Sequence, residues 1–495
     1  MHVRVDLGHP LSLRNVLPEA EFLGADDIAA MACTCDSHRV RPGTVFVALR
    51  STDRDEQAAV SEAIGRGCSG IVADRPVFGS GVPICYVSDT RDAHGRICQA
   101  IAGNPSRRLK VVGLTGTSGT TTTSCLVASI LTTAGCKVGI LGALGCFDGR
   151  EVTHTSHSTP PAHELARSFV RMVDHGCSHA VMEVSRRALD EGRAAGISFD
   201  AACVTDVPHA QVDGRSAIRR GWEAMARLLK QLTAEGFAVV NADDPAALSY
   251  LRLIDGPVLT VGVESQAEIT ATFVERCASE QTILLSAGSD VMPVRTRMIG
   301  VAHVYNSLTA AAVGLAYGID LPTVVRGLEA IDYVPGRLER IECGQPFSVF
   351  VDGAGTPSAV SACLQTLRQV IPGRLICVFG ARGERDRESR PRLGRAVEAG
   401  ADLAVITDDN PLGEDPQAVL EDILAGLEYP AKAEVIPDRA EAIAWALSQA
   451  RPGDGILIAG KGHRTCQIVG SRRRHFDDRQ VARQWLYANQ VSQQS

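Results

Sequence analysis

Short apolar runs rich in Val, Ile and Leu recur along the chain, with stretches of helical apolar spacing between them. The first hundred residues hold TVFVAL, GIVA and PICYV among alanine-rich, helix-like pieces. A second set follows in KVVGLTG, KVGILG, HAVMEVS, AACVTD and FAVVNA. A third set repeats the rhythm in FSVFVDG, RLICVFGA, DLAVITDD, AEVIP and GILIAGKG. Strand-length runs alternating with helical segments predict an α/β protein with mainly parallel sheets covered on both faces. In the third set the runs give way to Gly or Asp, the pattern of strand ends that carry ligand loops in open α/β sheets. Two polar segments containing Gly and Pro, AGNPSRR (102–108) and DYVPGRLER (332–340), read as hinges. The expected division is therefore 1–103, 104–335 and 336–495. The 495-residue length agrees, at about 100–200 residues per domain.

Composition narrows the class. A net charge of −7 gives no general attraction to nucleic acid or anionic membranes. The opening MHVRVDLGHP lacks the apolar core of a signal peptide. No apolar run approaches the ~18–20 residues that span a bilayer, so a cytoplasmic location is expected. The 15 cysteines are scattered. Cys33 and Cys35 form a C-x-C pair with no second pair to complete a zinc site, so the cysteines read as reduced, mostly small core residues.

The segment GLTGTSGTTTTS, from Gly113, carries the candidate chemistry. A β-branched run precedes it and a helical pattern follows. Gly113, Gly116 and Gly119 would let backbone N–H groups turn inward, so that Thr117, Ser118 and Thr120 join them around a phosphate at the helix N-terminus. Thr121 or Thr122 could ligate Mg²⁺ through its hydroxyl. The longer pattern G-x-x-x-x-G-K-[ST] fails twice, with Leu114 at its first glycine and Thr120 at its lysine. A Gly/Thr-rich turn capping a helix is the simpler alternative.

Motifs elsewhere give that loop a context. DSHRVRPGTVFVAL from Asp36, HSTPPAHEL from His157, MEVSRRAL from Met182, VVNADDP, YNSLTAA, VPGRLER, GQPFSVFVDGAGTP, VFGARGERDRESRP, TDDNP, LIAGKGH and FDDR occur in order. In order and spacing the chain resembles the Mur ligases, in particular the MurE type, from about Asp36 to Asp478. That family uses ATP to add the third amino acid to UDP-N-acetylmuramoyl-L-alanyl-D-glutamate through an acyl phosphate. The resemblance implies a UDP-binding domain, a P-loop-type central ATPase domain and a Rossmann-like C-terminal domain. It also implies ATP and Mg²⁺ as cofactors, with a UDP-muramoyl peptide and an amino acid as substrates.

By the same resemblance, Glu183 is a metal-side carboxylate with Thr121. Asn306, Arg337 and Asp352 match nucleotide positions. Ser37, Thr159, Pro160, Ser185 and Arg193 match substrate positions. Asp409, Asn410, Gly460 and His463 keep part of the amino-acid pocket. A carboxylate such as Glu183 or Asp352 at the end of an apolar strand can equally cap the next turn. The Arg- and Glu-dense run from Arg382 reads by default as a solvated loop.

The departures fall on the chemistry. The loop lysine is Thr120. The family's Ser-His is Arg186–Arg187, and its Asp-His pair is Ala210–Gln211. Its carboxylated lysine aligns with Ala226, beside Arg227 and one helical turn from Lys230. D-N-P-R reads DNPL with Leu412, G-K-G-H-E reads GKGHR with Arg464, and D-G-H reads DEQ at 55–57. Losing one placed electrostatic donor costs about 10²–10³ in rate, so the family's two-metal chemistry is expected to be largely lost. Arg186 and Arg187 are candidate catalytic cations, since arginine binds phosphate bidentately. Three readings stay open: a MurE-type ligase of reduced activity; a non-catalytic relative that binds a UDP-muramoyl peptide or a protein of the same pathway; and a ligase rebuilt for a different acid and amine.

Overall fold

The computed structural model describes residues 10–49, 56–155, 157–206, 223–384 and 387–491. The chain divides into two compact units. The first holds 1–208, 216–268 and 309–324; the second holds 209–215, 269–308 and 325–495.

In the first unit, a five-stranded sheet is built from β1 (Glu21–Leu23), β2 (Ala32–Thr34), β3 (Thr44–Val47), β4 (Gly70–Ala73) and β5 (Ile84–Tyr86). Its order is β1-β5-β4-β3-β2, parallel except at β1. Helix α1 (Thr90–Ile101) starts at Asp89, whose carboxylate accepts the Arg91 and Asp92 N–H groups, as a good N-cap does. Its inner face packs Ala93, Ile97, Cys98 and Ile101 against Cys33, Val45 and Val47 of the sheet.

The second sheet of this unit has strands β6 (Lys110–Thr115), β7 (Val138–Gly142), β8 (Gly145–Phe147), β9 (Val152–Thr153), β10 (His179–Glu183), β11 (Phe199–Val204), β12 (Leu232–Asn241) and β13 (Val258–Gly262). They run in the order β9-β8-β7-β10-β6-β11-β12-β13. β7, β10, β6, β11, β12 and β13 are parallel. The buried run of β6 is central, so the loop that follows leaves the middle of the sheet at its C-terminal edge. Helix α2 (Thr120–Thr133) begins immediately beyond it.

The second unit contains an antiparallel meander, β14 (Ile269–Arg276), β15 (Gln281–Ala287) and β16 (Asp290–Thr296). Its strands are half exposed and lack the long apolar runs that mark the parallel strands, so the apolar pattern of the sequence does not reveal it. A second sheet follows, from β17 (Glu339–Arg340), β18 (Ser348–Asp352), β19 (Leu375–Phe379), β20 (Leu403–Ile406), β21 (Glu434–Val435) and β22 (Gly455–Ala459), in the order β17-β18-β22-β19-β20-β21. All its pairs are parallel except β17 with β18. Two apolar clusters cover its faces. Every apolar run quoted from the sequence overlaps an observed strand. No helix among the described residues is long and apolar enough to cross a membrane.

Candidate functional site

The loop after β6 turns on Gly119, whose φ of +81° places it in the left-handed region that glycine tolerates. Gly116 lies against Thr205 and Asp206, beyond the end of β11. Thr117 and Ser118 donate their hydroxyls to the Asp206 carboxylate, Ser118 at 2.9 Å. Thr205 donates to the Ser118 carbonyl at 2.6 Å. These bonds fasten the turn to the neighbouring strand end and leave it at the start of α2. Thr121 and Thr122 are buried in the first turn of that helix.

Glu183 ends β10 and is 5% exposed. Its Oε2 accepts hydrogen bonds from Thr120 Oγ1 at 2.9 Å and Thr121 Oγ1 at 3.0 Å. Its Oε1 accepts the Ala143 N–H at 2.7 Å. A side chain at Gly142 would overlap this carboxylate. The residue standing where the family loop has lysine is therefore a direct partner of Glu183. An octahedral Mg²⁺ with bonds of about 2.1 Å sets adjacent oxygens about 3.0 Å apart. Thr121 Oγ1 and Glu183 Oε2 have that separation, so they fit as two ligands once the hydroxyl hydrogen turns away.

The substrate-side candidates are assembled next to Glu183. Thr159 Oγ1 donates to the Glu183 carbonyl at 2.9 Å and accepts the Ser185 N–H at 2.9 Å. Arg193 Nη1 donates to the Thr159 carbonyl at 2.7 Å, and its Nε donates to Glu191 at 2.7 Å. Pro160 is buried beside Thr159. Arg186 and Arg187 begin a short helix, Arg186–Asp190, capped by Ser185, and both are exposed. Arg187 is paired with Glu191 at 2.7 Å, so its charge is already engaged on its own helix. Ala226 is buried, Lys230 is exposed, and Arg227 pairs with Asp190 at 3.1 Å. Ser37 stands apart in the five-stranded domain, donating to Glu62 at 2.7 Å. The Ala210–Gln211 position, Asp55, Arg385 and Asp386 lie outside the described residues.

In the second unit, Asp352 ends β18 and is 8% exposed. It accepts the Leu338 N–H at 2.7 Å and the Ala354 N–H at 2.6 Å. Burial pushes this carboxyl up, while Arg337 and the two N–H groups pull it back. Asn306 and His303 are buried on the helix Val301–Ala316. Burial, and then the charge of Arg337, push His303 down to about 4.

Asp409 and Asn410 converge on a residue the sequence reading did not single out. Lys461 is completely buried, 3.1 Å from Asp409 Oδ1 and 2.9 Å from Asn410 Oδ1. It also reaches the Cys466 carbonyl at 3.2 Å. Asn410 Oδ1 further accepts the Ile468 N–H at 3.0 Å. Gly460, with a φ of +113°, and half-buried His463 flank this lysine. The only sequence signal was a lysine between two glycines just past an apolar strand. Arg464 is half-buried; beyond the effect of burial, Asp409 favours its charge while Arg382 and Arg337 oppose it.

The solvated-loop expectation for the run from Arg382 needs correction at Arg390. That side chain is 2% exposed and grips Glu414 with bonds of 2.7 and 2.8 Å and Asp422 with one of 3.0 Å. Acidic partners from a distant segment draw it in, which a local reading of charge density cannot detect.

A glycine turn opening a helix from a central parallel strand, with a carboxylate ending the adjacent strand, defines a phosphate-loop class of α/β protein. Residues 114–314 match the Mur ligase middle domain, and 336–462 match the Mur ligase, glutamate ligase domain. The UDP-N-acetylmuramoyl-L-alanyl-D-glutamate–2,6-diaminopimelate ligase of Geobacillus thermodenitrificans is 37% identical over 467 residues, 93% of this chain and 95% of that one. The ligase of the same description from Gloeobacter violaceus is 36% identical over 93% of this chain and 94% of its own. A solved structure of such a ligase superposes with a TM-score of 0.68 at 26% identity, covering 97% of this chain and 99% of that one. MurF from Thermotoga maritima, solved in complex with ADP, shares the fold with a TM-score of 0.59 at 20% identity, over 94% of this chain and 98% of that one. The chain belongs to the Mur ligase family, and its similarity is to the MurE type.

Proposed function

We propose that this chain is a MurE-type protein that takes a UDP-N-acetylmuramoyl-L-alanyl-D-glutamate-like nucleotide and in which ATP-driven addition of the third amino acid is strongly weakened. One observation carries the reading: Thr120, at the position of the loop lysine, is hydrogen-bonded to Glu183 at 2.9 Å. A neutral hydroxyl spends itself on the metal-side carboxylate where a cation would steady the transferring phosphate. A retained substrate side is supported by Thr159, Ser185 and Arg193, which are joined in one hydrogen-bonded set. The reading keeps the division 1–103, 104–335 and 336–495, with ATP at the loop after β6 and Mg²⁺ between Thr121 and Glu183.

The test is calorimetric titration of the full chain with ATP·Mg²⁺ and, separately, with the UDP-muramoyl dipeptide. The expected result is dipeptide binding, no micromolar ATP binding, and at least a tenfold gain in ATP affinity in Thr120→Lys. Micromolar ATP binding with steady turnover by the native chain would overturn the weakened-ligase reading.

A second reading, a ligase rebuilt for another acid and amine, draws on the amino-acid pocket. Arg464 stands where the family has a glutamate, and Leu412 where diaminopimelate-type members have an arginine. The first change disfavours an incoming ammonium near Asp409, and the second removes a carboxylate grip. ATP turnover with non-muramoyl acids alone would select this reading. If arginines serve as the cation there, Arg186→Ala with Arg187→Ala should weaken ATP binding at least tenfold.

A further inference from the structure

The sequence pairs Cys33 with Cys35, but the fold pairs it with a residue 65 positions away. Cys33, on β2, and Cys98, on α1, bring their sulfurs to 3.5 Å. His94 lies one turn before Cys98 on the same helix, and its Nε2 is 3.5 Å from Cys98 Sγ. The three donor atoms all lie within 4.8 Å of one another, and all three side chains are buried. Val47, Ile97, Ala162 and Ala166 belong to the apolar cluster that holds Cys33 and Cys98, with His163 near His94 and Arg167 near Cys98. Among the described residues, Cys98 Sγ lies within hydrogen-bond reach of both Cys33 Sγ and His94 Nε2.

Ordinary packing accounts poorly for this grouping. Thiols are weak hydrogen-bond donors and acceptors, and an imidazole in an apolar core costs free energy unless it is well bonded. A cation accounts for it directly. With Zn–S bonds of about 2.3 Å and Zn–N of about 2.0–2.1 Å, a tetrahedral ion sets its S···S edge near 3.8 Å and its S···N edge near 3.6 Å. The observed edges of 3.5 Å are within a few tenths of an ångström of both. Two thiolates and one imidazole are a soft donor set suited to Zn²⁺ or Cu⁺. The spacing is also natural on a helix, where residues four apart share a face.

We propose that Cys33, His94 and Cys98 form a site for a thiophilic d¹⁰ cation, Zn²⁺ or Cu⁺, that staples helix α1 to the edge strand of the N-terminal sheet. Each cysteine binds as thiolate and releases one proton to solvent, so two protons leave per ion. The site is independent of the phosphate loop and of any ligase activity. Cys35, exposed two residues on, serves as an internal control.

The experiment uses the reduced, chelator-stripped full chain, loaded in parallel with Zn²⁺, with Co²⁺ as a spectroscopic stand-in for Zn²⁺, and with Cu⁺. About one ion per chain is expected, with thiolate-to-metal charge-transfer absorption and a raised unfolding temperature on loading. Uptake in the Zn²⁺ and Co²⁺ arms identifies zinc, and uptake in the Cu⁺ arm alone identifies copper. In the Cys33→Ala, Cys98→Ala double variant, which keeps Cys35, uptake should fall at least tenfold and the thermal shift should vanish. Failure of the folded native chain to take up any of the three ions overturns the proposal without reference to a variant. Full uptake by a folded double variant also overturns it, by placing the metal elsewhere.

Discussion

Glu183 and Asp409 are two buried carboxylates just past or at the ends of parallel strands, 5% and 4% exposed, and the chain settles them by different means. Glu183 is met by two threonine hydroxyls and a backbone N–H, all neutral. Asp409 is met by the ammonium of Lys461, which also binds Asn410. A hydroxyl can swing its hydrogen away and offer a lone pair to an incoming ion, so the first arrangement can exchange partners. A buried ammonium has only hydrogens to give. The second arrangement is closed to an incoming cation by this ion pair, and Asn410 holds the loop through Lys461 and the Ile468 N–H. Family likeness therefore carries different weight at the two places. Glu183 keeps a metal-compatible geometry, whereas the surviving Asp-Asn pair is first of all structural, with Arg464 as its charged neighbour.

The largest effect should come from breaking the closed arrangement. Lys461→Met leaves Asp409 buried without its cation, and removing one partner of a buried pair costs about 3–5 kcal/mol. Asp478→Ala is the reference for that scale. It strips the bidentate partner, at 2.8 Å to both oxygens, from Arg439, and both side chains are fully buried. Urea unfolding of the two variants should give losses of similar size. A Lys461→Met loss under about 1 kcal/mol would mean that Asp409 does not depend on its lysine, and the contrast with Glu183 would collapse.

The open arrangement should respond less. Thr120→Val removes one of three neutral donors to Glu183 and should cost about 1 kcal/mol, the net worth of an ordinary hydrogen bond. The same unfolding series measures it. A loss as large as that of Lys461→Met would show that the hydroxyls do more than hold a place for a cation. Thr120→Lys sharpens the point from the other side, since its ammonium is expected to pair with Glu183 and to tighten ATP together.

Much of this was legible in the sequence because parallel strands buried on both faces write themselves as continuous apolar runs. The meander at 269–296 was not, because half-exposed antiparallel strands alternate and blur into polar sequence. At the site, Glu183, Thr159, Ser185 and Arg193, picked out by the family resemblance, stand in one hydrogen-bonded set. The resemblance could not show that Thr120 turns to Glu183, or that Lys461 is internal. Both depend on which side chain faces which across strands far apart in sequence. The same limit hid Arg390 behind Glu414 and the approach of Cys98 to Cys33.

The Arg390 cluster supplies the smallest of these effects, and its sign is fixed. Glu414 is held down to about 2, from a usual 4.5, first by the hydrogen bonds from Arg390 and then by the Glu384 N–H. A carboxyl whose folded value is depressed contributes stability that is full above the unfolded value and is lost as pH falls through the folded one. The contribution should therefore be intact at neutral pH and decline from about pH 4.5 to about 2. Glu414 is 30% exposed, so solvent and salt screen the interaction, and under about 1 kcal/mol is expected. The stability gap between the native chain and Glu414→Gln should narrow across that window and shrink further with added salt. A gap that stays constant with pH would mean that Arg390 is held by Asp422 and by packing, with the Glu414 charge contributing nothing.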